Sequence, residues 1–339
     1  MILRKRTHRE CVTIAAALMF AFIAAIQPGN AQAGLLLTPA GTAEGFSLST
    51  FAAGFRTATQ VGLLIGPLGI GFNSAGEVLV SDRFGDVRLF PDTDGQNAGA
   101  VTPAQNYGDF SSLGIANVGN ALYLATHVGN AVVQINGNGT FNQTIVTGTT
   151  IARDIVVNPS NNHLFVSSQD GIWDVDPVAK TKVLVLAGQT DGLAISGTTL
   201  YAARTFNGSN FNSIQGFQIG TWTQSFDSGP IAGVDGIAIG FGSLAGKIYG
   251  NTNFGEVWEV SLANPNVQTL IASGGSRGDL VKVDPSNDSL LLTQSDRVVR
   301  LFAPEGGGFG AEVPEPSTFV LLSAGLAGLV TLRKKCFRA

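Results

Sequence analysis

The sequence predicts an all-β protein, a six-bladed β-propeller placed between an N-terminal signal peptide and a C-terminal sorting signal with a short transmembrane helix. A pair of short apolar strands recurs six times within residues 34–303, and the second strands are 44, 42, 36, 48 and 42 residues apart. Several strands alternate apolar and polar residues, the period of a half-buried strand, whereas no part of this region shows a convincing helical period. Short strands, 44 glycines and a repeat near 42 residues are typical of propeller blades. A β-helix would need shorter coils, and a sandwich would not repeat so regularly.

The first 33 residues have the three parts of a secretory signal peptide. A positively charged start, from Arg4 to Arg9, is followed by the apolar run 12–26. Ala31 and Ala33 flank Gln32 in a small-residue cleavage site. We therefore expect the mature chain to begin at Gly34.

Charge and cysteine content differ between the ends and the body of the chain. Eight of the 20 Lys and Arg residues, and one of the 24 Asp and Glu residues, lie outside residues 34–332. The body therefore carries 12 basic and 23 acidic side chains, a net charge of −11, which disfavours nucleic acid and anionic lipid as partners. Both cysteines, Cys11 and Cys336, also lie in the ends. We expect no disulfide in the body, so a core and backbone pairing must stabilise it.

The sixth repeat ends soon after Phe302 and lacks an outer strand of its own. Upstream of the first repeat, residues 46–51 have the pattern of a strand but belong to no blade. We predict that this strand completes the sixth blade, which would join the chain ends and remove an exposed sheet edge.

The repeats resemble the blades of the NHL, regucalcin/gluconolactonase and virginiamycin B lyase-like propellers. The similarity covers roughly residues 45–305 and rests on strand pairs such as 235–238 with 248–250 and on turns such as 81–87. It implies a six-bladed architecture with loops around a central axis.

In a propeller, the residues that open the innermost strands converge around that axis. Here they include four acids: Asp154, Asp191, Asp235 and Asp279. Such a ring of carboxylates could hold Ca²⁺ or another divalent cation, which takes six to eight oxygen ligands. Alternatively, each aspartate accepts hydrogen bonds from nearby backbone amides in a turn.

Polar residues also follow the second strands, and two of them match metal-ligand chemistry. The regucalcin/gluconolactonase resemblance implies acidic and asparagine ligands near the axis, and only Asp82 and, with a shift of one position, Asn251 fit. The full ligand set of that family has no match here.

The body contains two histidines, of which His127 directly follows a second strand. It is a candidate acid or base for a lyase or hydrolase, since the imidazole titrates near neutral pH. An exposed loop histidine without a chemical role is the alternative.

The C-terminus continues with a glycine-rich stretch, 304–312, predicted to be a linker. Residues 313–339 then combine Val313, Pro314, Glu315 and Pro316 with the apolar run 319–332 and a basic tail. This run of 14 residues is shorter than the roughly 20 that cross a bilayer comfortably. We therefore expect it to hold the protein in the membrane only temporarily. The segment resembles the PEP-CTERM signal of Gram-negative bacteria, which implies recognition and cleavage by an exosortase in the inner membrane.

These observations favour a protein that an exosortase sorts to the periplasm, the outer surface or the extracellular matrix. Its propeller is predicted to bind a glycan, such as an exopolysaccharide, or another envelope component. A divalent-metal hydrolase or lyase of the gluconolactonase-like group is the alternative. Metal content and a turnover screen would separate the two.

Overall fold

The computed structural model describes residues 34–60, 62–205 and 211–310. The predicted signal peptide with Ala31 and Ala33, and the motif from Val313 to Pro316, lie outside these residues. Within the described part of the chain, no helix is long and apolar enough to cross a membrane. The predicted membrane segment 319–332 lies beyond it.

The N-terminal part contributes short elements before the first blade: β1 (Leu36–Leu37), α1 (Pro39–Glu44), β2 (Ser47–Ala53), β3 (Ala58–Gln60) and β4 (Leu63–Ile65). Thr38 caps α1, since its side-chain oxygen accepts a hydrogen bond from the Gly41 N–H at 3.1 Å. Pro39 begins the helix, where its missing N–H costs nothing. Gly45 ends it with φ of 92°, a left-handed conformation that glycine adopts without strain.

Six antiparallel sheets follow one another around an axis, which confirms the predicted six-bladed propeller. Blade 1 consists of β5 (Pro67–Phe72), β6 (Val78–Asp82), β7 (Asp86–Phe90) and β9 (Gln105–Asn106), with β8 (Gln96–Asn97) and a 3₁₀ turn (Ala98–Ala100) between its last two strands. Blade 2 consists of β10 (Ile115–Val118), β11 (Ala121–Thr126), β12 (Ala131–Ile135) and β13 (Phe141–Thr147). Blade 3 consists of β14 (Ile155–Val157), β15 (Leu164–Ser167), β16 (Gly171–Asp176) and β17 (Thr181–Ala187).

The remaining blades repeat this order from the axis outward. Blade 4 consists of β18 (Thr190–Ser196), β19 (Thr199–Thr205), β20 (Phe211–Gln218) and β21 (Gln224–Ala232). Blade 5 consists of β22 (Val234–Gly242), β23 (Lys247–Thr252), β24 (Val257–Ser261) and β25 (Gln268–Ser273), and β1 pairs with its outer strand. Blade 6 has β26 (Val281–Val283), β27 (Leu290–Thr293) and β28 (Arg297–Phe302) as its inner strands.

The hydrophobic core is divided among the junctions between blades. Leu79 and Val87 of blade 1 pack against Leu122 and Leu124 of blade 2, and similar apolar clusters fill the other five junctions. Each blade therefore buries both faces against its neighbours, which explains why alternation is clear in only some strands.

The ring closes as predicted, because β2 pairs with β28 and forms the outer strand of blade 6. The pairing runs antiparallel from Ser47 opposite Phe302 to Ala53 opposite Arg297. Arg300 strengthens this closure with ion pairs to Asp94 at 2.9 Å and to Asp284, and its side chain is only 3% exposed. Asp94 lies in the connection between β7 and β9 of blade 1, so the arginine ties blade 6 to its neighbour.

The segment 304–312, predicted to be a linker, contains a strand, β29 (Gly307–Phe309), which pairs with the end of β22. Phe309 is 1% exposed and packs edge-on against Tyr249, with ring centroids 5.0 Å apart. The glycines concealed this strand from sequence inspection, because they allow a close approach to β22 but carry no apolar pattern. The body of the protein therefore extends to Gly310.

Replacing Phe309 with alanine tests whether this segment is part of the fold. We expect Phe309→Ala to lower the free energy of unfolding by about 3–5 kcal/mol, because it removes a fully buried ring. Urea denaturation of the purified protein measures the change. Phe141→Ala is the control, since Phe141 is 47% exposed and its loss should change stability by no more than about 0.5 kcal/mol. Equal stability of the two variants would show that residues 307–309 are not anchored.

Candidate functional site

The innermost strands define two faces of the propeller. We call the end where β5, β10, β14, β18, β22 and β26 begin the upper face, and the end where they finish the lower face. A cavity of about 210 Å³, the upper cavity, opens on the upper face at the axis. Its polar lining consists of His127, Arg153, Asp191, Asp235, Asn253, Arg277 and Asp279.

The carboxylates meet here because successive innermost strands approach one another very closely at their first residues. A Cβ atom at Gly192 would lie 2.1 Å from the carbonyl oxygen of Asp235 in the next blade, so only glycine fits. The adjacent Asp191 is thereby brought next to Asp235. Three of the four acids predicted at the strand openings, Asp191, Asp235 and Asp279, line one cavity.

Two arginines lie among these carboxylates. Arg153 forms an ion pair with Asp191 at 2.6 Å, and Arg277 forms one with Asp279 at 3.0 Å. Arg277 Nε also donates to the side-chain oxygen of Asn253 at 2.6 Å. Guanidinium groups thus supply positive charge within the ring where the sequence suggested a metal ion.

Asp235 lies among these groups and is buried. Burial, followed by repulsion from Asp191 and Asp279, raises the pKa of Asp235 well above its usual range. Burial also raises the pKa of Asp191 and of Asp279, although the arginines oppose this effect. The cavity therefore disfavours the charged form of Asp235 relative to an exposed carboxyl group.

His127 lines the same cavity, where its ring lies 5.5 Å from that of Phe110. Its Nδ1 atom is buried and has no hydrogen-bond partner among the described residues. Burial, with a smaller contribution from Arg153, lowers the pKa of His127 to about 4. The imidazole is neutral near pH 7, so it can exchange a hydrogen bond with a ligand but is a poor general acid.

The structure places three other predicted ligands away from the upper cavity. Asp82 accepts hydrogen bonds from the N–H groups of Phe84 and Asp86, at 2.9 and 3.1 Å. Its second oxygen pairs with Arg88 at 2.5 Å. The carboxylate of Asp82 thus stabilises the turn between β6 and β7.

Asn251 and Asp154 connect neighbouring blades. Asn251 donates to the carbonyl oxygens of Asp279 and Thr293, both at 3.1 Å. Asp154 accepts hydrogen bonds from the N–H groups of Ile155 and Leu193, at 2.8 and 2.9 Å. Both side chains are buried and hold blade contacts in place.

Sequence reasoning missed Arg277 and Asn253 as cavity residues. Arg277 comes two residues before Asp279, and Asn253 comes two residues after Asn251. The available signal was this proximity to predicted positions.

The donor set fits a divalent cation poorly. Among the described residues, no group of three or more His, Cys, Asp or Glu side chains has a geometry suited to a metal ion. Ca²⁺ requires six to eight oxygen ligands, whereas Asp191 and Asp279 are each committed to an arginine.

Comparison with solved structures shows the same fold in several enzymes of low sequence identity. A candidate gluconolactonase aligns with a TM-score of 0.60 and 15% identity over 81% of this chain and 99% of its own. A gluconolactonase from Xanthomonas campestris gives 0.58 and 15% over 80% and 95%. A luciferin-regenerating enzyme gives 0.58 and 13% over 78% and 98%. The chain thus has a six-bladed propeller resembling gluconolactonase- and regucalcin-like structures.

The C-terminal residues 312–335 match the PEP-CTERM protein-sorting motif. This match confirms the sorting signal predicted for residues 313–339. It indicates export with membrane-anchored sorting and implies processing by an exosortase. A comparison with curated proteins found no match.

The pKa of Asp235 gives a test of the upper cavity. An acid whose pKa is raised by folding binds protons more strongly in the folded state, so its contribution to stability falls as the pH rises above about 4. We expect Asp235→Asn to raise the melting temperature at pH 7.5, because the amide cannot take on the charge that the folded cavity disfavours, and to have less effect at pH 4.5.

Thermal denaturation at both pH values measures this difference. Asp227→Asn is the control, because Asp227 is exposed on the outer strand β21 of blade 4. A loss of stability in Asp235→Asn at pH 7.5 would contradict the raised pKa of Asp235, because it would mean that the fold favours the ionised carboxylate.

Proposed function

We propose that this protein is an exported, exosortase-processed surface or matrix protein whose propeller binds a glycan or another envelope component in the upper cavity. The observation that carries the proposal is the composition of that cavity. Ion-paired Asp and Arg side chains, Asn253 and the buried Asp235 lie together with the ring of Phe110.

These groups suit the hydroxyl groups of a sugar, each of which can donate and accept a hydrogen bond. Asp191 and Asp279 supply acceptor oxygens, while Arg153 and Arg277 supply fixed, planar sets of donors. Phe110 provides an apolar surface of the kind that packs against sugar C–H groups. The cavity therefore offers both kinds of contact that a sugar ring needs.

The size and charge of the cavity limit the ligand. About 210 Å³ is less than the ~300 Å³ lower limit of pockets for drug-sized molecules, so a single sugar ring is a better fit than a long segment. The net charge of −11 on residues 34–332 disfavours strongly anionic polymers. A terminal or branching neutral sugar is the preferred ligand.

The sorting motif sets the route by which the protein would reach this ligand. A precursor is held in the inner membrane through residues 319–332 and is released by exosortase cleavage. It then reaches the periplasm, the outer surface or the extracellular matrix. In a bacterium that makes exopolysaccharide, each of these compartments presents glycan.

A divalent-metal hydrolase or lyase is the second candidate. The fold shared with gluconolactonases and the three carboxylates near the axis favour it. His127 would then accept a proton. The arginine partners of Asp191 and Asp279 argue against it, because they reduce the negative charge that a divalent cation requires.

We expect Asn253→Ala to weaken glycan binding about tenfold, because it removes a polar contact in the cavity and the hydrogen-bond acceptor of Arg277 Nε. Calorimetry with oligosaccharides prepared from the organism's exopolysaccharide measures the dissociation constant. Asn264→Ala is the matched control, since Asn264 is exposed in a turn of blade 5 on the lower face. Equal affinity of both variants would place the binding site elsewhere.

The same preparation separates the two candidate functions. The binding protein should contain no stoichiometric metal and should not turn over lactones or polysaccharides. Stoichiometric divalent metal, with turnover that is lost in Asp235→Asn, would favour the hydrolase or lyase instead.

Replacing Pro314, Glu315 and Pro316 together with alanine tests the sorting step. We expect the precursor to accumulate in the membrane fraction, because the extended, proline-fixed segment is removed while the apolar segment remains. Immunoblotting of cell fractions measures precursor and product. Phe141→Ala, on the exposed surface of blade 2, is the control. Normal release of the first variant would mean that cleavage does not depend on this motif.

A further inference from the structure

A second cavity, the lower cavity, occupies the lower half of the axial channel and has no part in the proposed glycan binding. Its volume is about 150 Å³. The innermost strands of blades 3 to 6 form its wall, together with Gly310. Most of this wall is aliphatic, with Val156, Ile195 and Ile239 among its members. The charged members of the described lining are Asp154 and Lys282.

Lys282 enters this apolar space because of strand alternation in β26. Its neighbours Val281 and Val283 both pack with the core between blades 5 and 6, so the lysine faces the channel. Lys282 Nζ donates to the carbonyl oxygen of Ile115 in blade 2 at 2.7 Å. An ammonium group has three donors, so two remain for another partner.

Asp154 lines the cavity beside β14 of blade 3, and backbone N–H groups hold its carboxylate in place. One carboxylate oxygen accepts from the Ile155 N–H and the other from the Leu193 N–H. Each oxygen keeps a lone pair for a further donor. Among the ion pairs of the described residues, none joins Asp154 directly to Lys282, although each charge acts on the pKa of the other group.

A separated ammonium and carboxylate in an aliphatic cavity are costly unless something satisfies both. A ligand that carries one group of each sign would do so. Aliphatic walls beside this pair also favour an apolar part in the same molecule. A cavity of ~150 Å³ in another protein holds a molecule the size of benzene, which sets the scale.

We propose that the lower cavity binds a small α-amino acid with an aliphatic side chain, such as valine. The amino-acid carboxylate contacts Lys282, its ammonium group contacts Asp154, and its side chain packs against Val156, Ile195 and Ile239. This site is separate from the upper cavity and does not depend on glycan binding there.

Calorimetry on the purified exported protein with three matched ligands tests this assignment. L-valine carries both head groups, 3-methylbutanoate lacks the ammonium group and isobutylamine lacks the carboxylate. We expect valine to bind about tenfold or more tightly than either analogue, because each analogue leaves one charge without a partner. Absence of saturable valine binding, or equal binding of 3-methylbutanoate, overturns the proposal.

Lys282→Met removes the cation and keeps an unbranched side chain suited to the aliphatic wall. We expect this variant to bind valine about tenfold or more weakly. Lys180→Met is the matched control, since Lys180 is exposed in a turn of blade 3, and its affinity should be unchanged. Circular dichroism and the melting temperature show whether both variants fold.

Full valine affinity in folded Lys282→Met overturns the proposal. A crystal structure grown with valine gives an outcome independent of variants. Electron density for the amino acid between Asp154 and Lys282 supports the site, whereas ordered water alone in that position overturns it.

Discussion

The close approach of the innermost strands at the upper face is the constraint on which the rest of the structure depends. Successive blades meet there through backbone contacts, such as the Gly114 N–H donating to the Arg153 carbonyl at 2.7 Å. At Gly192 and Gly69 a Cβ atom would lie within about 2 Å of a carbonyl oxygen of the next blade. Any larger residue would force the blades apart. The ring can therefore close with six blades only if these positions carry no side chain. The residues next to the glycines must then converge on the axis.

This convergence creates an electrostatic problem that the arginines solve. Asp191, Asp235 and Asp279 meet in a poorly solvated space, where three negative charges would repel one another. Arg153 and Arg277 neutralise two of them. Burial and repulsion raise the pKa of Asp235, so the cavity disfavours a further negative charge on this group. Such a cavity suits a neutral ligand rich in hydroxyl groups better than a divalent cation, which gains most from an excess of negative charge.

Sequence periodicity was sufficient to predict the blades, because each repeat must supply the same strand pair for packing against its neighbours. It also predicted the closing strand, since blade 6 lacked a fourth strand and residues 46–51 lacked a blade. β29 escaped detection because a glycine-rich strand carries no alternating pattern, and its single large residue, Phe309, gave too little signal.

The candidate site was only partly predictable, because residue type does not reveal a side chain's partner. Asp82 and Asp235 have the same side chain. Asp82, however, accepts a hydrogen bond from the backbone N–H of Asp86, four residues later in a turn, and forms an ion pair with Arg88. Within the part of the chain that the structure describes, Asp235 has no such local partner, and it lies near Asp191 and Asp279 of the neighbouring blades. The roles of Arg153 and Arg277 depend on contacts around the axis, and Arg153 pairs with an aspartate 38 residues further along the chain. Such pairings follow from ring closure and not from local sequence.

Strand β22 runs from the upper face to the lower face and contributes to both cavities. Asp235 near its start lines the upper cavity, while Gly240 to Gly242 at its end pair with β29 at the lower face. Phe309 fixes that strand, so the chain leaves the propeller beside the lower cavity, at Gly310. The upper and lower cavities therefore lie towards opposite ends of the same innermost strands, so the backbone pairing that aligns these strands positions the lining residues of both cavities.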